Sequence, residues 1–129
     1  MARILIVDDE EMDRVLESEI LRAAGYDLSF AEDGEAALEL CERNNVDLVI
    51  TDLAMPKSSG LRFIRELREA GLTMPVIAVS GWAKDQLDLA ERYGADFILG
   101  KPLDGDALLD AVDKALRSVK GIDPWRRVR

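Results

Sequence analysis

The sequence predicts an α/β fold with a doubly wound, five-stranded parallel sheet covered by helices on both faces. Two observations support this prediction. Short apolar runs alternate five times with segments whose apolar residues recur at helical spacing. Several of these runs are apolar throughout, which is typical of strands buried on both faces. Strict strand–helix alternation specifies a parallel sheet, because each crossover helix packs back onto it.

Each element follows from local pattern and from its end signals. The apolar runs predict strands over 4–7, 26–31, 47–51, 76–79 and 96–99. Helical spacing predicts helices over 10–24, 36–43, 60–70, 84–93 and 105–119. The first helix is expected to bury the stripe Met12, Val15, Leu16, Ile20 and Ala23. Asp33-Gly34 is expected to form a turn, and Asp104 to cap the last helix. Glycines supply three helix stops, at Gly25, Gly71 and Gly94.

Composition limits the possible functions. A length of 129 residues fits one domain, predicted over 1–119, with 120–129 as a basic tail or linker stub. The net charge of −9 argues against nucleic acid or an anionic membrane as a direct partner. The absence of histidine excludes Ser-His-Asp, Cys-His and His-zinc mechanisms. We expect no signal peptide and no membrane span, and a cytoplasmic location, with the single cysteine, Cys41, acting as a small buried apolar residue.

Polar side chains end four of the apolar runs. Asp8-Asp9 follows the first strand, Asp52 the third, Ser80 the fourth and Lys101-Pro102 the fifth. The carboxyl ends of parallel strands share one edge, so these groups are expected to converge there. Taken alone, Asp8-Asp9 fits helix capping as well as metal binding. With the third carboxylate, oxygen-only ligation indicates Mg²⁺ or Mn²⁺, and an aspartate there can accept a phosphoryl group. The peptide bond between Lys101 and Pro102 can be cis or trans, and the sequence does not decide between the two isomers.

The chain resembles a bacterial two-component response-regulator receiver domain, of the chemotaxis-regulator-like kind, from Arg3 to about Val119. Its motifs occur in order along the chain: Val7-Asp8-Asp9-Glu10, Asp52-Leu53-x-Met55-Pro56-x-x-x-Gly60, Ser80-Gly81, and Gly94-Ala95-Asp96 followed by Lys101-Pro102. The resemblance implies a flavodoxin-like fold with strand order 2-1-3-4-5. It also implies that Asp52 accepts phosphate from a phosphohistidine on a sensor histidine kinase or a histidine phosphotransfer protein.

Further residue roles are implied by the same resemblance. Asp9, Asp52 and the backbone carbonyl of Ala54 would bind Mg²⁺ directly, with Asp8 acting through water. Ser80 and Lys101 would contact the phosphoryl group.

The sequence departs from the family pattern at the switch position. Ile98 stands where the family carries Tyr or Phe, and Phe97 is one residue away, which points its side chain to the opposite face of the strand. Two positions tune the phosphoryl lifetime in this family, and they hold Ala54 and Trp82. Ala54 cannot orient an attacking water, so slow self-catalysed dephosphorylation is expected. Trp82 either shields the acyl phosphate or caps a loop.

Three functions fit the residues to different degrees. The leading prediction is a phosphorylation-dependent module that signals to a protein partner, or dimerises, through the face of 84–93, 96–99 and 105–119. Ile98 supports the alternative of a phosphorylation-independent pseudo-receiver that serves as an interaction scaffold. A phosphatase of the haloacid-dehalogenase kind is a distant third, since it needs a second acid where Ala54 stands.

Overall fold

The computed structural model describes residues 2–43, 45–54, 59–81 and 84–119. The five strands are β1 (Arg3–Val7), β2 (Asp27–Ala31), β3 (Leu48–Asp52), β4 (Val76–Ser80) and β5 (Phe97–Gly100). The five helices are α1 (Glu11–Ala23), α2 (Gly34–Arg43), α3 (Gly60–Glu69), α4 (Lys84–Tyr93) and α5 (Gly105–Val119). All strand pairs are parallel, in the order β2-β1-β3-β4-β5. The predicted fold class and strand order are therefore confirmed.

A hydrophobic cluster covers each face of the sheet. One cluster joins the sheet to α2, α3 and α4 and contains Phe63, the largest fully buried side chain among the described residues. The other joins the opposite face to α1 and α5 through residues such as Leu21 and Val112. The middle strands β3 and β4 are buried along their whole length, as their unbroken apolar runs predict. Cys41 is buried in α2, and this burial raises the pKa of its thiol to about 11.

The predicted inner face of α1 is wrong. Met12, Val15 and Leu16 are 83%, 49% and 47% exposed, and Ala23 is exposed as well. Of that stripe, Ile20 alone packs against the core, while the helix buries Glu17, Ser18 and Leu21. Helical spacing identifies a stripe, but the contacts with α5 and the sheet decide which side of the helix they cover.

Many element boundaries differ from prediction by one residue, and the start of α2 differs by two. Helix α2 begins at Gly34 rather than at residue 36, because the Asp33 carboxylate accepts a hydrogen bond from the Ala36 amide at 2.9 Å and caps the helix. Strand β5 runs to Gly100, one residue beyond the predicted end. Asp104 caps α5 as predicted, accepting from the Asp106 amide at 3.0 Å. Trp82 and the predicted tail 120–129 lie outside the described residues.

Arg68 connects the end of α3 to the α4–β5 connection. Its guanidinium donates to the carbonyl oxygens of Gly94, Leu72 and Met74, and it pairs with Asp96 at 3.1 Å. Gly94 has a φ of 123°, and an added Cβ would lie 2.7 Å from the Arg68 side chain, so this position requires glycine. Within the described part of the chain, no helix is both long and apolar enough to cross a membrane.

Candidate functional site

The strand register brings the predicted polar groups to one edge of the sheet. Val7 of β1 pairs with Thr51 of β3, so Asp8 and Asp52 follow on neighbouring strands. On the other side of β3, Ser80 ends β4 and pairs with Gly100 of β5, directly before Lys101. The predicted convergence at the carboxyl edge therefore occurs. The Lys101-Pro102 peptide is cis.

Asp8, Asp9 and Asp52 form a compact acidic group. Each offers a carboxylate oxygen, and these three oxygens lie within 4.8 Å of one another. Asp8 and Asp52 are buried, at 2% and 6% exposure, whereas Asp9 is more open to solvent. Oxygens on opposite sides of a Mg²⁺ ion lie about 4.2 Å apart, so this donor set fits a small hard cation with little adjustment.

Asp8 and Asp9 do not cap the helix that follows them. The N-cap of α1 is Glu10, which makes no side-chain capping bond. Asp8 instead accepts a hydrogen bond from the Glu10 amide at 2.9 Å, one residue before the helix begins. The alternative reading of this carboxylate pair as a helix cap is therefore not supported.

Asp52 faces an open cavity of about 520 Å³ that Asp9, Asp13, Ala54 and Lys101 also line. Its Oδ1 accepts from the Ala54 amide at 3.3 Å, and its Oδ2 lies 3.4 Å from the Lys101 ammonium. The Asp52 carboxylate is thus mostly buried, yet it can be reached from solvent through the cavity. Such an arrangement leaves an oxygen available to an incoming electrophile.

Among the described residues, three carboxylates share the Lys101 ammonium. Its Nζ lies 2.6 Å from Asp13, 3.4 Å from Asp52 and 3.7 Å from Asp8. Burial alone lowers the pKa of this ammonium, but the hydrogen bond to Asp13 and the charges of Asp52 and Asp8 outweigh burial and raise its pKa above the usual value. Lys101 therefore stays charged at every physiological pH.

Two buried acids of the site are hard to ionise without a cation. Burial raises the pKa of Asp8 to about 6, against the opposing effects of the Glu10 amide and Lys101. Burial also raises the pKa of Glu17 to about 8, and the negative charge of Asp8 adds to that shift. A divalent cation bound by the acidic group would lower the pKa of Asp8 and so favour its ionised form.

The remaining predicted residues are placed as follows. Ser80 is buried at 1% exposure and, unlike its neighbour Gly81, does not line the cavity. Ile98 packs against the α2–α4 side of the sheet, whereas Phe97 packs against the α1 and α5 side. The aromatic ring next to the switch position therefore points away from it, as the strand period predicts.

Sequence reasoning missed Asp13 and Glu17. Both lie on α1, and the wrong helix phase concealed them, since the apolar Met12 and Leu16 appeared to define the inner face. The available signal was the spacing of Asp13 and Glu17 by four residues, which places two carboxylates on one face of a helix that starts beside the acidic strand end.

Comparison with known proteins identifies the family. The model of the response regulator receiver domain matches residues 4–113. The chain is 37% identical over 106 residues to the sensor histidine kinase RcsC of Salmonella typhi, covering 81% of this chain and 11% of that protein. It is 38% identical over 114 residues to the transcriptional regulatory protein DltR of Streptococcus agalactiae, covering 83% and 48%.

A solved structure agrees with these matches. The chemotaxis protein CheY4 of Vibrio cholerae superimposes with a TM-score of 0.83 at 28% identity, covering 90% of this chain and 99% of that one. The chain spans about half or less of the length of the curated relatives it matches. The matching family model, the strand order and the acidic strand-end site together show that the chain belongs to the response regulator receiver domain family of two-component systems.

Proposed function

We propose that this receiver domain accepts a phosphoryl group from a phosphohistidine onto Asp52 in a Mg²⁺-dependent reaction and signals through protein contacts. The observation that carries the proposal is the setting of Asp52. Its carboxylate opens into a cavity, lies within 4.8 Å of two further carboxylates and faces an ammonium at 3.4 Å. This combination suits a phosphoryl group, which needs a nucleophile and positive charge around its oxygens.

In the proposed reaction, an Asp52 carboxylate oxygen forms a bond to phosphorus while the phosphorus–nitrogen bond of the phosphohistidine breaks. The imidazole, already protonated on its other ring nitrogen, leaves as the neutral base, and Asp52 becomes an acyl phosphate. Lys101 is proposed to stabilise the phosphoryl oxygens, and the Ser80 hydroxyl to donate to them. Mg²⁺ held by Asp9, Asp52 and the Ala54 carbonyl, with Asp8 through water, would neutralise further charge.

The residues near Asp52 also bear on the lifetime of the product. Ala54 offers a methyl group where an amide or carboxylate would orient an attacking water. We therefore propose slow self-catalysed dephosphorylation. The role of Trp82 and the cytoplasmic location stay predictions.

The output is proposed to pass through the face of α4, β5 and α5, to a protein partner or a second copy of the chain. Leu89 of α4 is a large apolar side chain that is 37% exposed. Ile98 favours a second candidate, the pseudo-receiver scaffold, because a branched aliphatic side chain cannot repeat the ring movement of an aromatic switch. The acidic group and Lys101 favour the phosphorylated receiver over the scaffold, because grouping carboxylates beside an ammonium is needed to bind a metal ion and a phosphoryl group but not to dock a partner.

Intact mass measured after incubation with Mg²⁺ and acetyl phosphate tests the proposal. We expect one added phosphoryl group, which Asp52→Asn and EDTA each abolish. Asp27→Asn is the matched control, because it removes an exposed carboxylate at the start of β2, the opposite edge of the sheet. A wild-type mass that does not change would favour the scaffold, and rapid consumption of excess donor would favour a phosphatase.

A further inference from the structure

Among the described residues, the shortest ion-pair contact of Lys101 is with a residue outside the proposed acceptor and metal set. Its Nζ lies 2.6 Å from Oδ2 of Asp13, which is 0.8 Å closer than Asp52 and 1.1 Å closer than Asp8. Both partners are partly buried, at 22% and 32% side-chain exposure. A charge-assisted hydrogen bond of this length in a partly dry site belongs to the stronger class.

The pair joins two separate elements of the fold. Asp13 lies in the first turn of α1, whereas Lys101 follows β5, 88 residues later in the chain. An ammonium has three donors but one charge. The negative charge of Asp13 therefore lowers the positive potential that Lys101 provides at a group on Asp52.

Resting on the proposed function, we propose that Asp13 is a positioning residue that competes with the phosphoryl group on Asp52 for the Lys101 ammonium. In the unphosphorylated protein, Asp13 holds the ammonium at the α1 side of the cavity. Once Asp52 carries a phosphoryl group, the same ammonium has to serve both anions. Asp13 thereby limits how strongly the site stabilises its phosphorylated form.

Beryllofluoride, an anion with the geometry of a phosphoryl group, is a direct probe of this competition. Its dissociation constant is measured with saturating Mg²⁺ at physiological salt, where distant charges are screened. Asp13→Asn is expected to bind it about 3- to 10-fold more tightly than wild type, as the loss of a partly exposed competing ion pair allows. Asp13→Glu keeps the carboxylate and is expected to remain near the wild-type value.

Glu11→Gln is the matched charge control. Glu11 lies in the same first turn of α1, but it is exposed and does not line the cavity. Its substitution removes one negative charge at a similar place in the sequence. We expect it to leave the beryllofluoride affinity much closer to wild type than Asp13→Asn does.

A double-mutant cycle with Lys101→Met separates competition from general electrostatics. If Asp13 acts through the ammonium, the gain from Asp13→Asn disappears when Lys101 is replaced. A structural role of Asp13 would not depend on Lys101 in this way. Far-UV circular dichroism confirms that each variant is folded.

Three results would overturn the inference. The first two are an affinity of Asp13→Asn for beryllofluoride that is no greater than that of Glu11→Gln, or one that is weaker than that of wild type. The third is an equal gain in affinity from Asp13→Asn when Lys101 is already replaced by methionine. A wild type that binds no beryllofluoride at Asp52, with Asp52→Asn as reference, would refute the proposed function and the inference with it. Asp52-dependent wild-type binding without an Asp13 effect refutes the inference alone.

Discussion

Replacing Glu17 by glutamine is expected to stabilise the metal-free protein more and more as the pH rises. Glu17 lies on α1 beneath the acidic site, with 2% of its surface exposed. Burial, together with the negative charge of Asp8, raises the pKa of its carboxyl from the usual 4.5 to about 8. Glutamine has the shape of the protonated acid and carries no charge at any pH.

The direction follows from proton linkage. Between pH 4.5 and 8 the folded protein holds the Glu17 proton, whereas the unfolded chain releases it. Unfolding therefore releases a proton, and the wild-type free energy of unfolding falls as the pH rises through this interval. At about 1.4 kcal/mol for each pH unit, the limit is about 5 kcal/mol, and relaxation around a charged Glu17 reduces the expected change to about 2–4 kcal/mol.

Urea unfolding at pH 5, 7 and 9 in EDTA measures this effect. The variant and wild type should be similar at pH 5, and the stability difference should grow toward pH 9. Glu19→Gln is the control, because Glu19 is exposed on the same helix and its substitution makes the same change of charge. Parallel pH profiles for Glu17→Gln and wild type would show that Glu17 ionises freely in the folded protein, and the reasoning from burial would be refuted.

Three other substitutions test separate parts of the structure. Arg68→Ala removes the hydrogen bonds that join α3 to the α4–β5 connection and should lower the free energy of unfolding by about 2–4 kcal/mol. In the same urea assay, Arg68→Lys should restore only part of the lost stability. Gly60→Ala would drive a Cβ into the carbonyl oxygen of Asp52, so it should lower the free energy of unfolding by about 3 kcal/mol and impair phosphorylation. Gly81→Ala, whose Cβ would lie 3.5 Å from its nearest neighbour, should lower it far less, and equal melting temperatures of the two variants would contradict this. Ala54→Asn should shorten the phosphoryl lifetime several-fold because its amide can orient water, and an unchanged decay of the phosphorylated mass would count against that role for position 54.

Much of the candidate site could be predicted because its residues follow strands. The period of the apolar runs locates each strand end within one or two residues, and parallel pairing then brings Asp8, Asp52, Ser80 and Lys101 to one edge. Neither step needs knowledge of how the helices pack. The strand period also predicted correctly that Ile98 and Phe97 point to opposite faces.

The residues that prediction missed lie on a helix. Asp13 and Glu17 belong to α1, whose exposed apolar side chains gave a false inner face. A helical stripe has no fixed partner in the sequence, so its orientation depends on contacts with distant segments. Asp13 meets Lys101 only because α1 and β5 flank the same edge of the sheet, 88 residues apart in the chain.

The sequence by itself determined the element order, the parallel sheet and the set of acidic and basic groups at its carboxyl edge. Local apolar patterns locate the buried strands and their ends, and strand–helix alternation makes the strands parallel. Tertiary structure alone decided how the Lys101 ammonium is divided among Asp13, Asp52 and Asp8, and that Glu17 is buried. The physical reason is that charge sharing and desolvation depend on distances of a few ångströms between remote segments.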